Sequence, residues 1–284
     1  MKRRDRTRPI DPDIERLVVV LDLTAQDSPA IRAAADLAAR LGAALEGLFV
    51  EDANLFRLAA LPVARQIPLG PSAGPAAFDP AHLERDLRAF AQRAETAFSH
   101  AARSAGVRWS FRAVRGDVPA AVLAEVAARD LLVVTTPADV RTALGGVGPV
   151  LCRAALEAER SFVLVSQPAG LRRPLVVIGR DAALARDTLG VAGQVFVGDG
   201  HTLDLALADD APDAVKAAVA AWLDEHALKA RMRRLATARV AQIRQAAISA
   251  GNDVLVLAGD LPCLAGGGAD ELAAGAPFPV IVVR

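Results

Sequence analysis

The chain has 284 residues with 33 acidic and 33 basic side chains, so no net field draws nucleic acid or an anionic membrane. Apolar residues make up 53% of it and aromatics 4%; two cysteines are too few for a disulfide framework or a thiolate metal cage. No segment approaches the roughly 20 apolar residues that cross a bilayer, and no signal-peptide core follows MKRRDRTR; membrane insertion is therefore not expected, the cytoplasm is the expected location, and residues 1–14 read as a disordered basic tail.

Leu17–Leu21 is a continuous aliphatic run, the pattern of a strand buried on both faces. Ser28 and Pro29 supply a cap and a first helical residue. The helix they open carries Ile31, Ala34, Ala35, Ala38 and Leu41 on one face and stops at Gly42. Leu45–Val50 is the second strand. Residues 52–79, rich in Pro and Gly, then break the rhythm. Within them Leu55, Phe56, Leu58 and Leu61 form one helical stripe, read either as a flap over the sheet edge or as a lid or partner-docking helix. Asp79–Pro80 opens a long helix with Leu83, Leu87, Phe90, Ala94, Ala97 and Ala101 inward, closed by Gly106. Val107–Val114 is the third strand, ending in Arg115–Gly116–Asp117. Pro119–Arg129 is a helix, Leu131–Thr135 the fourth strand, Val150–Leu156 a short helix and Phe162–Val165 the fifth strand.

The last third repeats this layout. LVVIGRD at Leu175–Asp181 matches RLVVVLD at Arg16–Asp22, DVLVLA at Asp253–Ala258 matches DLLVVT at Asp130–Thr135, and PVIVVR matches SFVLVS. Between them Ala182–Val197 and Asp213–Leu235 read as helices, Leu203–Ala208 as a strand, and Ala236–Ile243 as a weak strand or helix edge. Strands alternating with helices imply parallel sheets covered on both faces. The expected fold is α/β: two tandem doubly wound domains, 15–167 (with 52–79 inserted) and 175–284, each a five-stranded, mainly parallel sheet flanked by helices. The boundary falls in Gln167–Pro174. A single continuous sheet would overturn such a duplication.

Little catalytic chemistry is legible. The histidines (His82, His100, His201, His226) lack metal-ligand spacing. No Walker loop and no nucleophile elbow occurs. The acidic pairs Glu51–Asp52 and Asp209–Asp210 end strands and read as caps; Trp109 and Trp222 read as packing residues.

The strand–Asp start, the helix AAADLAARLGA and the strand LEGLFVED resemble the opening of a universal stress protein domain. VRGD, DLLVVTT and the glycines before the short helix at 150–156 resemble its later parts, as do DVLVLAG and APFPVIVV in the second half. The resemblance covers most of the chain and implies a tandem pair with an adenine nucleotide alpha hydrolase-like fold. In nucleotide-binding members the site joins an Asp after the first strand to a loop after the fourth, spaced Gly-x2-Gly-x9-Gly-Ser/Thr. Glycines let backbone N–H groups approach phosphate, and the loop leads into a helix N-terminus that favours anions. Here Asp22 holds the Asp position, and Thr135, Ala138 and Gly148 the three glycine positions. Pro149 replaces the hydroxyl residue; Thr136, Gly145 and Gly146 add hydroxyl and backbone freedom. In the second half Gly179 stands at the Asp position, and the loop before Gly266–Gly267–Gly268 is short, so that half reads as structural, its Gly triplet a tight turn into a helix or, alternatively, an anion nest.

The resemblance thus implies a non-enzymatic protein with a protective or regulatory role that binds a protein partner or itself. It implies weak ATP or AMP binding, with Mg²⁺, through Asp22, Thr135, Thr136, Gly145, Gly146 and Gly148, and no metal ligand of its own. It also implies that Ser161–Ser166 and Pro279–Arg284 meet edge to edge, making an intramolecular pseudo-dimer and hiding two apolar sheet edges. The alternatives are an ATP-binding hydrolase or transferase of the same superfold, and a two-lobed small-molecule binding protein.

Overall fold

Buried aliphatic runs form the inner strands of the sheet, and amphipathic helices, several of them rich in alanine, cover them. The computed structural model describes residues 14–21, 29–66, 76–77, 79–135, 147–165, 171–196, 202–208, 210–234, 239–265, 268, 271 and 278–284. The strands are β1 (Arg16–Leu21), β2 (Ala44–Asp52), β3 (Arg65–Gln66), β4 (Ala76–Ala77), β5 (Trp109–Gly116), β6 (Asp130–Thr135), β7 (Phe162–Val165), β8 (Pro174–Ile178), β9 (Leu203–Leu207), β10 (Ala230–Arg234), β11 (Val254–Ala258) and β12 (Val280–Val283). The helices are α1 (Pro29–Leu41), α2 (Ala53–Ala59), α3 (Pro80–Ala105), α4 (Val118–Glu125), α5 (Val147–Glu157), α6 (Ala182–Val195), α7 (Asp213–Glu225) and α8 (Val240–Ala250).

Ten strands form one sheet in the order β10-β9-β8-β11-β12-β7-β6-β1-β2-β5. Neighbours are parallel except β7 and β12, which pair antiparallel with Val163 level with Ile281. Read outward from that junction, each half runs fifth, fourth, first, second, third strand. The sheet is continuous, which alone would count against a doubled unit. Its continuity arises at the expected edge pairing, however, and the identical strand order on either side retains the repeat. Phe162, Val163, Leu164, Val280, Ile281 and Val282 are all buried, so the junction is core. Ser161 Oγ accepts the Arg284 N–H at 2.9 Å and closes its end.

Alternate residues of each strand feed two cores. Leu17, Val19 and Leu21 face a layer containing α1, α3, α6 and α7; Val18 and Val20 face one containing α4, α5 and α8. Across the junction α1 packs on α6, and Arg40 Nη1 donates to the carbonyl of buried Leu171 at 3.0 Å.

Capping follows the sequence closely. Asp79 accepts from the Ala81 amide and Pro80 starts α3; Gly106 ends it at φ 69°, a conformation glycine adopts freely. Phe98, not Ala97, fills the inner face of α3, with Trp109 and Phe111 edge-on at 6.3 and 6.2 Å. The stripe in α2 divides: Leu55 and Phe56 pack on the core, whereas Leu58 and Leu61 are half exposed. Later in that insertion β3 and β4 pair antiparallel, and residues 67–75 and 78 lie outside the described residues.

One region differs from expectation. The helix from Asp213 stops at Glu225 instead of Leu235; Ala227 turns the chain at φ 51°, and Ala230–Arg234 pairs with β9 as an outer strand. Of Ala236–Ile243, read as a weak strand or helix edge, Val240–Ile243 open α8, and residues 236–238 lie outside the described residues.

The two halves also repeat a buried ion cluster at the N-terminal rim of the sheet. Glu46 on β2 holds Arg112 of β5 (Nε–Oε1 2.7 Å) and Arg16 of β1, while Asp130 of β6 receives Arg16 Nε at 3.1 Å. Asp204 on β9 holds Arg233 of β10 at 2.9 Å and accepts from Asn252 at 3.1 Å. In both halves the arginine lies two residues beyond the position level with the acid. Asp130, and next Glu46, push the Arg16 guanidinium above its ordinary pKa against its own desolvation. Such a cluster locks strand register, because a slip would bury the acids alone.

Candidate functional site

In a doubly wound sheet, ligands bind beyond the carboxyl ends of the strands, where the order of winding reverses. Here the reversal falls between the first and fourth strands of each half, β1/β6 and β8/β11. Thr135 closes β6 in that crevice: Val19 is level with Val133, which sets Thr135 beside Leu21. Gly148 lies buried in the first turn of α5, next to Pro149. First-turn amides have no partner within their helix, and Pro149 subtracts one. Asp22, Thr136, Gly145 and Gly146 lie outside the described residues, as do Ala138 and Thr142. Thr135 thus ends β6 and Gly148 lies in the first turn of α5; the remaining candidates lie outside the described residues.

The other acidic candidates act locally. Asp52 caps α2 through the Asn54 amide at 2.8 Å, and Asp117 caps α4 through that of Ala120. Glu51 pairs with Arg115 at 2.8 Å. Arg115 also lies 3.9 Å above the Phe56 ring and reaches Glu84, so the arginine of VRGD pins α2 to α3. Asp210 pairs with Arg180. Trp222 is buried and stacks on His226 at 4.2 Å; His82 pairs with Asp86. Among the described residues no group of three His, Cys, Asp or Glu side chains is placed to hold a metal, and no helix is long and apolar enough to cross a membrane.

In the second crevice residues 171–196, 254–265, 268 and 271 are described. Equal register (Val18 with Glu46, Leu175 with Asp204) makes Gly179 the counterpart of Asp22. Likewise Leu132 and Leu255 correspond, so Gly259 matches Thr136 and Asp260 matches Pro137. Asp260 Oδ2 accepts the Arg180 amide at 2.5 Å and the Asp181 amide at 2.8 Å. A carboxylate thus stands in this crevice, supplied by the fourth strand rather than the first. Nothing in the sequence pattern singled out Asp260; only its match to Pro137 through the repeat could have. Gly268 packs on the Cys263 carbonyl, where a Cβ would overlap; Gly266 and Gly267 lie outside the described residues.

No family model and no curated protein matches the chain. Solved structures do. A universal stress protein from Archaeoglobus fulgidus matches with TM-score 0.67 at 12% identity, over 95% of this chain and 96% of that one. A functionally unknown protein from Pseudomonas aeruginosa matches with TM-score 0.53 at 15% identity, over 95% and 92%. At such identities the likeness is one of fold. This chain has the α/β fold of universal stress protein structures, over nearly its whole length.

Proposed function

We propose that this chain is a non-enzymatic protein of universal-stress type, acting in the cytoplasm through a protein partner or self-association. Its modules are residues 15–167 and 175–284, and its role is protective or regulatory. The ligand face is the β1/β6 crevice, where Asp22, Thr135, Thr136, Gly145, Gly146 and Gly148 hold an adenine nucleotide weakly. The observation that carries this reading is the winding reversal at β1/β6, with Thr135 at its lip, in a chain whose fold matches a universal stress protein over 95% of its length. Two departures set the weakness: Ala138 carries a Cβ and Pro149 offers no N–H.

Thermal melting with excess ATP or AMP and Mg²⁺ tests it. Ligand at a hundred times its Kd stabilises by about 2.7 kcal/mol, and Asp22→Ala should abolish that shift. An unchanged Tm with every nucleotide removes the nucleotide from the proposal. Nucleotide turnover would replace it with the enzymatic alternative.

A further inference from the structure

The β8/β11 crevice is filled by the chain's own side chains. Asp260 crosses from the end of β11 to the two amides that lead into α6, although α6 already has its cap in Asp181, which accepts from Leu184 at 2.8 Å. A second cap is not what the helix lacks. The other carboxylate oxygen, Oδ1, is buried without a hydrogen-bond partner among the described residues and lies where a Cβ on Gly179 would be. Gly179 is outside the left-handed region, so space rather than backbone conformation demands glycine there. Beside it, Gly259 is overlaid by the side chain of Arg284, which a Cβ would also strike. The counterparts of Asp22 and Thr136 are therefore both glycine, and Asp260 and Arg284 take up the room.

We propose that Asp260 is an internal anion that permanently occupies the crevice of the second half, so that anionic ligands are admitted by the first half alone. The word "ligand" rests here on the reading of the β1/β6 crevice given above. The closure itself rests only on Asp260, its two amides and the glycine beneath it. A carboxylate on paired N–H groups satisfies the donors that would otherwise face an incoming anion. The outer rim carries the Arg180–Asp210 pair, which leaves Arg180 already partnered.

Two measurements test it. In the first, Gly179→Ala, Asp260→Gly and the double variant are melted. Gly179→Ala should lower Tm strongly and the double variant no further than Asp260→Gly, because the overlap needs both partners. Additive losses would overturn the proposal. In the second, amide resonances are followed while inorganic phosphate is added to the full chain. Arg180 and Asp181 should stay still in the native protein and in Asp260→Asn, which keeps an acceptor oxygen in place, and move saturably in Asp260→Gly. Phosphate shifting the native amides, or failing to shift those of Asp260→Gly, would overturn it. Both readouts report on the second half, whereas the Asp22→Ala melting test reports on the first, so either proposal can fail alone.

Discussion

The crevices at β1/β6 and β8/β11 share strand order, register and position at the carboxyl rim, yet they are furnished in opposite ways. In the first, Asp follows the opening strand and a proline stands at the place of Asp260. In the second, glycine follows the opening strand and the carboxylate comes from the fourth. In sequence, the acidic residue follows the first strand in one half and the fourth strand in the other. The opposite rim behaves differently, since Glu46–Arg112 and Asp204–Arg233 repeat almost unaltered. The duplicated fold thus keeps one acid–arginine pair across its outer strands, while the carboxyl rims of the two halves differ in sequence.

The strongest way to break this comparison is to give the second half the residue of the first. Gly179→Asp places a side chain and a like charge on Asp260, and we expect a loss above about 4 kcal/mol, seen as insoluble protein or a collapsed urea midpoint. A soluble variant with an unchanged midpoint would show that the crevice is not filled. Next come the register clusters. Glu46→Ala leaves Arg16 and Arg112 without their shared acid and should cost about 3 kcal/mol, the low end for a broken buried pair because Arg112 is half exposed. Asp204→Ala should cost about 2 kcal/mol on the same grounds. Equal urea midpoints for both variants and the native chain would deny the clusters a structural role.

Arg115→Ala probes what only the first half has, the insertion carrying α2. Losing the Phe56 and Glu51 contacts should cost about 1 kcal/mol and speed amide exchange in α2 but not in α7; unchanged exchange in α2 would mean that Arg115 does not hold it. The smallest effect concerns Cys263. Burial pushes its thiol above the ordinary range. With the folded value raised, the contribution to stability is present below the ordinary thiol pKa and lost as pH rises through the folded one. Iodoacetamide should therefore label Cys263 more slowly than an unfolded control at pH 8; equal rates would contradict it.

Most strands were readable because a strand buried on both faces must be a run of aliphatic residues, as in Leu17–Leu21 and Val254–Leu257. Helix ends were readable where Asp–Pro or Gly imposed them. β10 was not. ARMRR suits a helix by propensity, and its strand state depends on backbone pairing with β9 and on Asp204 receiving Arg233. Of the candidate site, Thr135 ends a strand and Gly148 opens a helix, while Asp260 was passed over because its partners lie 80 and 79 residues away.

The order of residues alone determined the alternation of strand and helix and its repetition, since hydrophobic period and caps are local properties. The three-dimensional packing decided how the halves join and which crevice is closed. An antiparallel edge pair and a carboxylate lodged over a glycine exist only when segments far apart in the chain compete for one space.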